Sequence, residues 1–447
     1  MKTLSIDFSK VNGKIKPMNA TNNGPCGGGV RGETPFIKNF RQANIPYARL
    51  HDSAYYQPYG GEWAVDVHRI FRNFDADENN PENYVFGPTD NYIKAIKQSG
   101  CDIFYRLGAS IEHYYHYGTY PPKDYLKWAK ICEKIILHYN EGWANGYNYG
   151  IKYWEIWNEP DCINADGSNP CWQGTKEEFA EFYDVVSKYL KSKFPNLKIG
   201  GPAICTVWSE DLPDYFLKKV KENGSVMDFF SYHCYGPTVE NFVETIDKAN
   251  QLLEKHGLLG VEKILDEWQY IRGWSGAIYR ESLQDAGRII GASYITGAMC
   301  AGQAVDVDML MYYDVRPTGA FNGLGAQLDK PKKPYYALKA FGHLLELGDC
   351  VQTKYVDENI YNAVATNGKE HAILLTYFNN DIKTGKEKVK LEFNNALLGD
   401  KVKVEYYLLD ENNDLEIVRE EIFTSNEFAS YIKVDLYTVY LIKIIPQ

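Results

Sequence analysis

Tyr153-Trp154-Glu155-Ile156-Trp157-Asn158-Glu159-Pro160-Asp161 passes from strand to turn and ends in acids. It begins as a strand-like run of large residues and breaks at Asn158-Glu159-Pro160, where proline removes a ladder donor and a carboxylate is left at the strand tip. A second stretch, Lys263-Ile264-Leu265-Asp266-Glu267-Trp268-Gln269-Tyr270, has the same form. Two carboxylates at strand ends point to paired-acid chemistry. Side chains alternate along a strand, so only one of Asp266 and Glu267 is expected to face inward. Glu267, nearer the strand end, is the choice.

Outward from these two stretches, strand-like segments at 18–22, 45–51, 102–107, 151–157, 197–201, 227–233, 263–267 and 307–312 alternate with helical patterns. The helices are expected at 36–43, 89–99, 125–139, 176–193, 212–222, 239–255, 282–301 and 335–347. Strand-then-helix repetition of this kind predicts an α/β fold, a (β/α)8 TIM barrel over residues 17–347. Beyond it, short alternating runs at 360–365, 371–378, 388–393, 403–409, 417–422 and 431–445 predict a C-terminal β-sandwich domain over 348–447. Residues 1–16, with Leu4, Ile6 and Phe8 alternating ahead of Val11-Asn12-Gly13-Lys14, read as an N-terminal hairpin that completes the sandwich.

In such a barrel, active groups sit at the C-terminal ends of the strands. Those ends carry Arg49 and His51, Asn158 and Glu159, His233 and Tyr235, Glu267 and Trp268, and Tyr313. Glu159 and Glu267 are the catalytic candidates; the others are expected to bind substrate. A general acid must hold a proton at neutral pH, which aromatic surroundings and a facing carboxylate favour for Glu159. Arg49 would keep a neighbouring carboxylate ionised, as a nucleophile requires, the alternative being a structural salt bridge. His233 and Tyr235 share a parity, which places Tyr235 to donate a hydrogen bond to a nucleophilic carboxylate. A satisfied core histidine is the other reading of His233.

Two loops are candidate walls of the cleft. Tyr114, Tyr115, Tyr117 and Tyr120 form an aromatic platform suited to sugar faces, and Tyr55, Tyr56, Trp63, Asp66 and His68 lie in the long segment after His51. His113 and His116 have only Glu112 beside them as a further ligand type, so no metal is expected there.

Aromatic residues make up 15% of the chain, with 36 Tyr and 9 Trp, more than packing alone asks for. A net charge of -11 argues against nucleic acid and anionic membrane surfaces, which draw on clustered Lys and Arg. No apolar run is long enough to span a membrane, and the first residues lack the apolar region of a signal peptide, so the chain reads as cytoplasmic. Nine scattered cysteines without a C-x-x-C pair fit a reducing compartment. Cys162 and Cys171 are close enough to close a loop, an uncommon pairing in the cytoplasm.

Taken together, the Trp-Asn-Glu-Pro run ending at Pro160, Glu267, the His233-Cys234-Tyr235 triplet, Asn22-Asn23-Gly24-Pro25 and the C-terminal β-domain resemble clan A glycoside hydrolases. The nearest likeness is to glycoside hydrolase family 39, the β-xylosidase and α-L-iduronidase group. The resemblance covers nearly the whole chain. It implies that Glu159 is the acid/base, Glu267 the nucleophile and Asn158 the group that bonds the sugar 2-hydroxyl. Members of the clan often carry tryptophan at the end of strand eight, where this chain has Met311-Tyr312-Tyr313.

The expected activity is that of a retaining glycosidase on a small oligosaccharide or glycoside, β-xylosidase-like and exo-acting, with no cofactor. The sequence allows a homo-oligomer. Its rivals are an inactive carbohydrate-binding relative, a clan A enzyme with another glycone (arabinoside, glucoside, galactoside or uronide), and a metal-dependent barrel hydrolase.

Overall fold

The computed structural model describes residues 2–25, 34–51, 65–111, 118–209, 211–315, 321, 325–327, 330–353 and 359–447. Glu112 to Tyr117, with the histidine pair and three of the loop tyrosines, lie outside the described residues, as do Tyr55, Tyr56 and Trp63.

Eight parallel strands close a barrel in chain order: Ala20–Asn22, Tyr47–Leu50, Asp102–Leu107, Tyr153–Ile156, Lys198–Ile204, Phe229–Gly236, Glu262–Tyr270 and Met309–Tyr312. All eight coincide with the predicted segments. The helices follow suit, except that the pattern at 282–301 is two helices, Gly276–Ala286 and Ile289–Ala304, interrupted at Gly287 and Arg288.

Two-residue alternation sorts the barrel interior into layers. At the floor, Ala20, Phe104, Tyr153, Phe229, Ile264, Met309 and Met311 form an apolar plug, with the rings of Phe104, Tyr153 and Phe229 5.2 to 5.7 Å apart. Two residues further along, the same strands turn inward Arg49, Arg106, Glu155, Ser231 and Asp266, all fully buried. Two residues further again come His51 and His233, and Glu267 reaches the same layer one residue after Asp266. The intervening residues, among them Leu50, Trp154, Ile156 and Tyr232, pack outward against the helices.

The second domain is one nine-stranded sheet whose halves face each other across a single core. Phe8 stacks on His371 at 3.9 Å across that core. The two edge strands, Asp414–Phe423 and Glu427–Asp435, meet at a seam where the Arg419 guanidinium donates to the carbonyl of Tyr431 and to Ser430 Oγ. The leading segment is a single strand and not a hairpin. Lys2–Lys14 runs between Asp349–Thr353, antiparallel, and Lys386–Asn394, parallel. The register shifts between Ile6 and Val11 and again before Lys14, so the residues read as a turn are irregularities within one strand. The run at 431–445 likewise divides into Glu427–Asp435 and Val439–Pro446, and Asp349–Thr353 is an additional strand.

Ile289–Ala304 is buried on nearly every face because it lies between the barrel and this sheet. Ser293 Oγ of that helix meets Thr376 Oγ1 at 2.7 Å. Lys16 caps the carbonyls of Gly302, Val305 and Val307 at 2.8 to 2.9 Å. The strands Ile360–Thr366 and His371–Tyr377 alternate between two cores: Ile360, Val364, Ile373 and Leu375 face the second domain, whereas Tyr361, Ala363, Ala365, Ala372 and Leu374 face the barrel helices.

Candidate active site

Strand four ends at Ile156, and the chain then turns sharply. Trp157 and Glu159 have φ of 75° and 48°, conformations that side-chain-bearing residues seldom adopt. Packing and hydrogen bonds hold them there. Trp157 is wedged edge-on against Trp172 and donates to the carbonyl of Cys171 at 2.9 Å, and the amide of Glu159 donates to the carbonyl of Ala203 at 2.9 Å. Strand five can approach closely enough because residue 201 is glycine. With φ of +138°, a Cβ there would lie 2.7 Å from the carbonyl oxygen of Ile156. The turn sets the Glu159 carboxylate over the barrel mouth, with Oε1 2.7 Å from Nδ1 of His233 and Oε2 accepting from the Cys171 thiol at 3.8 Å.

Strand seven departs from simple alternation. Tyr232 pairs with Leu265 but His233 pairs with Glu267, so Asp266 is the extra residue of a β-bulge. The bulge turns both acids inward. Asp266 Oδ2 lies 3.0 Å from Arg49 Nε, and Glu267 Oε1 lies 2.8 Å from Arg49 Nη1. The expectation that only one of them faces the axis is thereby corrected.

The same bulge determines the fate of Trp268. It is fully buried on the outer side of the barrel, against Phe242, Tyr294 and Tyr312. Trp268 is a core residue and not a substrate contact. The inward position passes to Gln269, whose Nε2 donates to the carbonyl of Tyr313 at 2.5 Å.

Arg49 organises the centre. Its guanidinium donates to Glu155, Asn22, Glu267 and Asn158 at 2.8 to 3.0 Å, so its role is both structural and electrostatic. Glu155 also accepts from Ser231 Oγ at 2.6 Å. Burial alone would raise the Glu155 carboxyl, but Arg49 and hydrogen bonds from Asp266 and Ser231 outweigh it and hold it below the usual value. Asp266 goes the other way: burial pushes it well up, against the pull of Arg49 and with repulsion from Glu155 and Glu267. The two buried carboxyls thus diverge beneath Arg49, Glu155 toward the charged form and Asp266 toward the neutral one.

Glu267 is the ionised acid of the site. Burial would raise its carboxyl, yet His233, then His51 and Arg49, hold it well below 4.5. Oε1 lies 3.0 Å from His51 Nε2, and Oε2 accepts from the Tyr235 hydroxyl at 2.7 Å. Burial and the charge of Glu267 push the Tyr235 phenol well up, so it stays a donor. The facing oxygens of Glu159 and Glu267, and a nitrogen of His233 between them, lie within 4.8 Å of one another.

Asn158 is fixed by the same guanidinium. Arginine can only donate, so the oxygen of the side-chain amide faces Arg49 and the nitrogen faces away. That nitrogen is buried and has no hydrogen-bond partner among the described residues. Tyr313 stands edge-on to His51 at 5.5 Å and to Phe321 at 5.4 Å. Trp274, 59% exposed, stands edge-on to Tyr235 at 5.2 Å and stacks on Phe321 at 6.1 Å. These rings form an aromatic rim over Glu267. Trp274 and Phe321 went unnoticed in the sequence because each sits in a loop without a strand-end signal.

Of the loop candidates, Asp66 is not a cleft wall. It is buried in a pair with Arg106 at 2.9 Å, and Arg106 donates to the carbonyl of His51 at 3.0 Å, which anchors that strand end from behind. His68 and Tyr120 line, with Trp128 and Trp157, a pocket of about 240 Å³ beside the strand-four turn.

Among the described residues, two sets of side chains have metal-ligand spacing. Glu159, His233 and Glu267 form one, but the Arg49 guanidinium on Glu267 already supplies the positive charge a cation would bring. Glu159, Cys162 and Cys205 form the other. No helix among the described residues is long and apolar enough to cross a membrane.

Comparison with known proteins follows the same geometry. A β-xylosidase from Geobacillus stearothermophilus is 34% identical over 195 residues, 42% of this chain and 33% of that protein. A β-xylosidase from Caldicellulosiruptor saccharolyticus is 26% identical over 283 residues, 59% of this chain and 53% of that protein. The alignments thus span between a third and about half the length of these relatives. The crystal structure of a glucosidase from Croceicoccus marinus superposes with a TM-score of 0.82 at 19% identity, covering 100% of this chain and 99% of that one. The overall fold is therefore shared from end to end. The sequence profile of the glycosyl hydrolases family 39 matches residues 3–269, from the leading strand through the end of strand seven and both acids, and the chain belongs to that family.

Proposed function

We propose that the protein is a retaining glycoside hydrolase, β-xylosidase-like and exo-acting on small oligosaccharides of plant or microbial origin. One observation carries the reading: two carboxylates face each other within 4.8 Å, and only Glu267 is clamped by an arginine, a histidine and a tyrosine into its ionised form. That spacing supports retention, for which carboxyl groups about 5–5.5 Å apart are typical, over inversion, which needs room for a water.

In the first step Glu267 attacks the anomeric carbon while Glu159 protonates the leaving oxygen. In the second, Glu159 takes a proton from water, which displaces Glu267 from the glycosyl-enzyme. The unpaired nitrogen of Asn158 is set to donate to the sugar hydroxyl next to the anomeric carbon. The xylose preference rests on the names of the two bacterial relatives. A cytoplasmic location rests on the described cysteines, none of which is in a disulfide.

A panel of aryl glycosides of xylose, arabinose, glucose, galactose and uronic acids tests the reading. Turnover is expected first on β-xylosides, and Glu267→Ala should abolish it. Added azide should restore the variant and give a glycosyl azide of inverted configuration. Wild-type rates in Glu267→Ala would refute the mechanism, and a substrate-binding protein without turnover on any glycoside would favour the inactive relative.

A further inference from the structure

Beside Glu159, three of the chain's cysteines converge from separate segments. Cys162 and Cys171 come from the loop after strand four, and Cys205 from the end of strand five. A carboxylate oxygen of Glu159 and the sulfurs of Cys162 and Cys205 all lie within 4.8 Å of one another. Cys171 Sγ lies 3.8 Å from Glu159 Oε2. Both loops are pinned. Asp161 accepts the amides of Cys205 and Thr206 at 2.8 and 3.1 Å, and Asn169 accepts those of Cys171 and Trp172 at 2.8 Å.

Packing does not account for the cluster. Cys101, Cys132 and Cys300 are single buried thiols, whereas Cys162 and Cys205 are only half-buried and meet at a carboxylate on the cleft. Three sulfurs and one oxygen are the donor set of a tetrahedral site for a soft or borderline dication, with ligand distances of about 2.0–2.3 Å. Such distances separate neighbouring ligand atoms by about 3.5–3.8 Å, so Glu159, Cys162 and Cys205, whose ligand atoms lie within 4.8 Å of one another, need to draw in by about 1 Å, and Cys171, held 3.8 Å from the carboxylate, turns in to fill the fourth position.

We propose that Glu159, Cys162, Cys171 and Cys205 form an inhibitory site for a thiophilic divalent cation such as Zn2+. Binding releases the three thiol protons, and that of Glu159 when present, to solvent. Four bonds from the metal to its water ligands break as four to the protein form, without any change of oxidation state. The Glu159 carboxylate, held by the metal, can then neither give nor take the proton that catalysis requires. The inhibition rests on the glycosidase reading above, but the binding does not.

The test uses the whole chain under a phosphine reductant, titrated with Co2+ as a spectroscopic substitute. Sulfur-to-cobalt charge-transfer absorption should saturate at one equivalent and vanish in Cys162→Ser and Cys205→Ser. Zn2+ at the same ratio should lower turnover at least ten-fold in the parent and not in the serine variants, whose activity without metal should match it. A chelator should reverse the loss. If the variants fail to fold, alkylation of the unmutated protein decides: bound Co2+ should shield Cys162 and Cys205 at least ten-fold. No sulfur-to-cobalt absorption, unshielded alkylation, or equal inhibition of the serine variants would overturn the proposal, the last by moving the metal to Glu159, His233 and Glu267. The absorption and alkylation results stand even if no glycoside is turned over.

Discussion

The hydroxyl of Tyr235 donates to Oε2 of Glu267 at 2.7 Å, while Arg49 and His51 reach Oε1 of the same acid. The two oxygens of the acid are thus unequal. Oε1 carries the guanidinium and the imidazole at 2.8 and 3.0 Å, whereas Oε2 accepts from the Tyr235 hydroxyl and is the oxygen that would attack in the proposed mechanism. Tyr235→Phe removes that donor with little change of shape. A hydrogen bond to a charged group contributes about 1.5–3 kcal/mol, so kcat/KM should fall by roughly 10- to 100-fold with the thermal midpoint little changed. An unchanged rate would mean that the phenol does not orient the nucleophile.

His51 offers a test through pH. Glu267 is held well below 4.5 by His233, His51 and Arg49 against the effect of burial, and the acidic limb of kcat/KM reports its ionisation in the free enzyme. His51→Gln removes one stabiliser of the anion. The limb should then move to higher pH, with the basic limb in place. The sign for stability agrees: a depressed carboxyl contributes above its unfolded pKa and loses that contribution as pH falls through the folded value. The variant should therefore show a smaller loss of stability between neutral and acid pH, followed by thermal melts. An acidic limb that stays put would separate His51 from Glu267.

In the proposed mechanism Glu159 has two duties, and its replacement separates them. As an acid it matters in the first step only for poor leaving groups, and as a base it matters in the second step for every substrate. Glu159→Ala should lose much of its kcat on activated aryl glycosides while kcat/KM falls far less. Both should collapse on unactivated ones. Added azide should restore kcat and give a glycosyl azide of retained configuration. An equal fall of kcat/KM for both classes would point to another proton donor.

Gly201 tests how the turn is held. A Cβ there would sit 2.7 Å from the backbone oxygen of Ile156 at φ +138°, a clash with main chain that no rotamer relieves. Gly201→Ala should cost about 1–3 kcal/mol in denaturant unfolding and lower turnover by displacing Glu159. Wild-type stability would show that strands four and five can part without penalty.

Much of this was legible from alternation and strand-end chemistry. The inward parity of Tyr153, Glu155, Phe229, Ser231 and His233 is what lays an apolar floor under a polar layer. Glu155 could have been found by the same parity, two positions beyond Tyr153, but the acids at the tips drew attention away from the layer beneath. Alternation failed at Asp266, because a bulge depends on the register with the neighbouring strand and leaves no mark in one strand's composition. That one extra residue turned Glu267 inward beside Asp266 and sent Trp268 outward. The leading strand was misread for a similar reason: Val11-Asn12-Gly13-Lys14 has hairpin chemistry, but partners on both sides, far away in sequence, keep Lys2–Lys14 extended.

The central claim is that Glu267 forms the covalent bond to the sugar. The most direct test incubates the protein with an activated 2-deoxy-2-fluoro glycoside of its best substrate, whose glycosyl-enzyme turns over slowly, followed by mass spectrometry of the intact chain and its peptides. One added glycosyl group is expected, located on Glu267, and none in Glu267→Ala. A label on Glu159 or another residue, or no label on a protein that hydrolyses the parent glycoside with inversion, would contradict it.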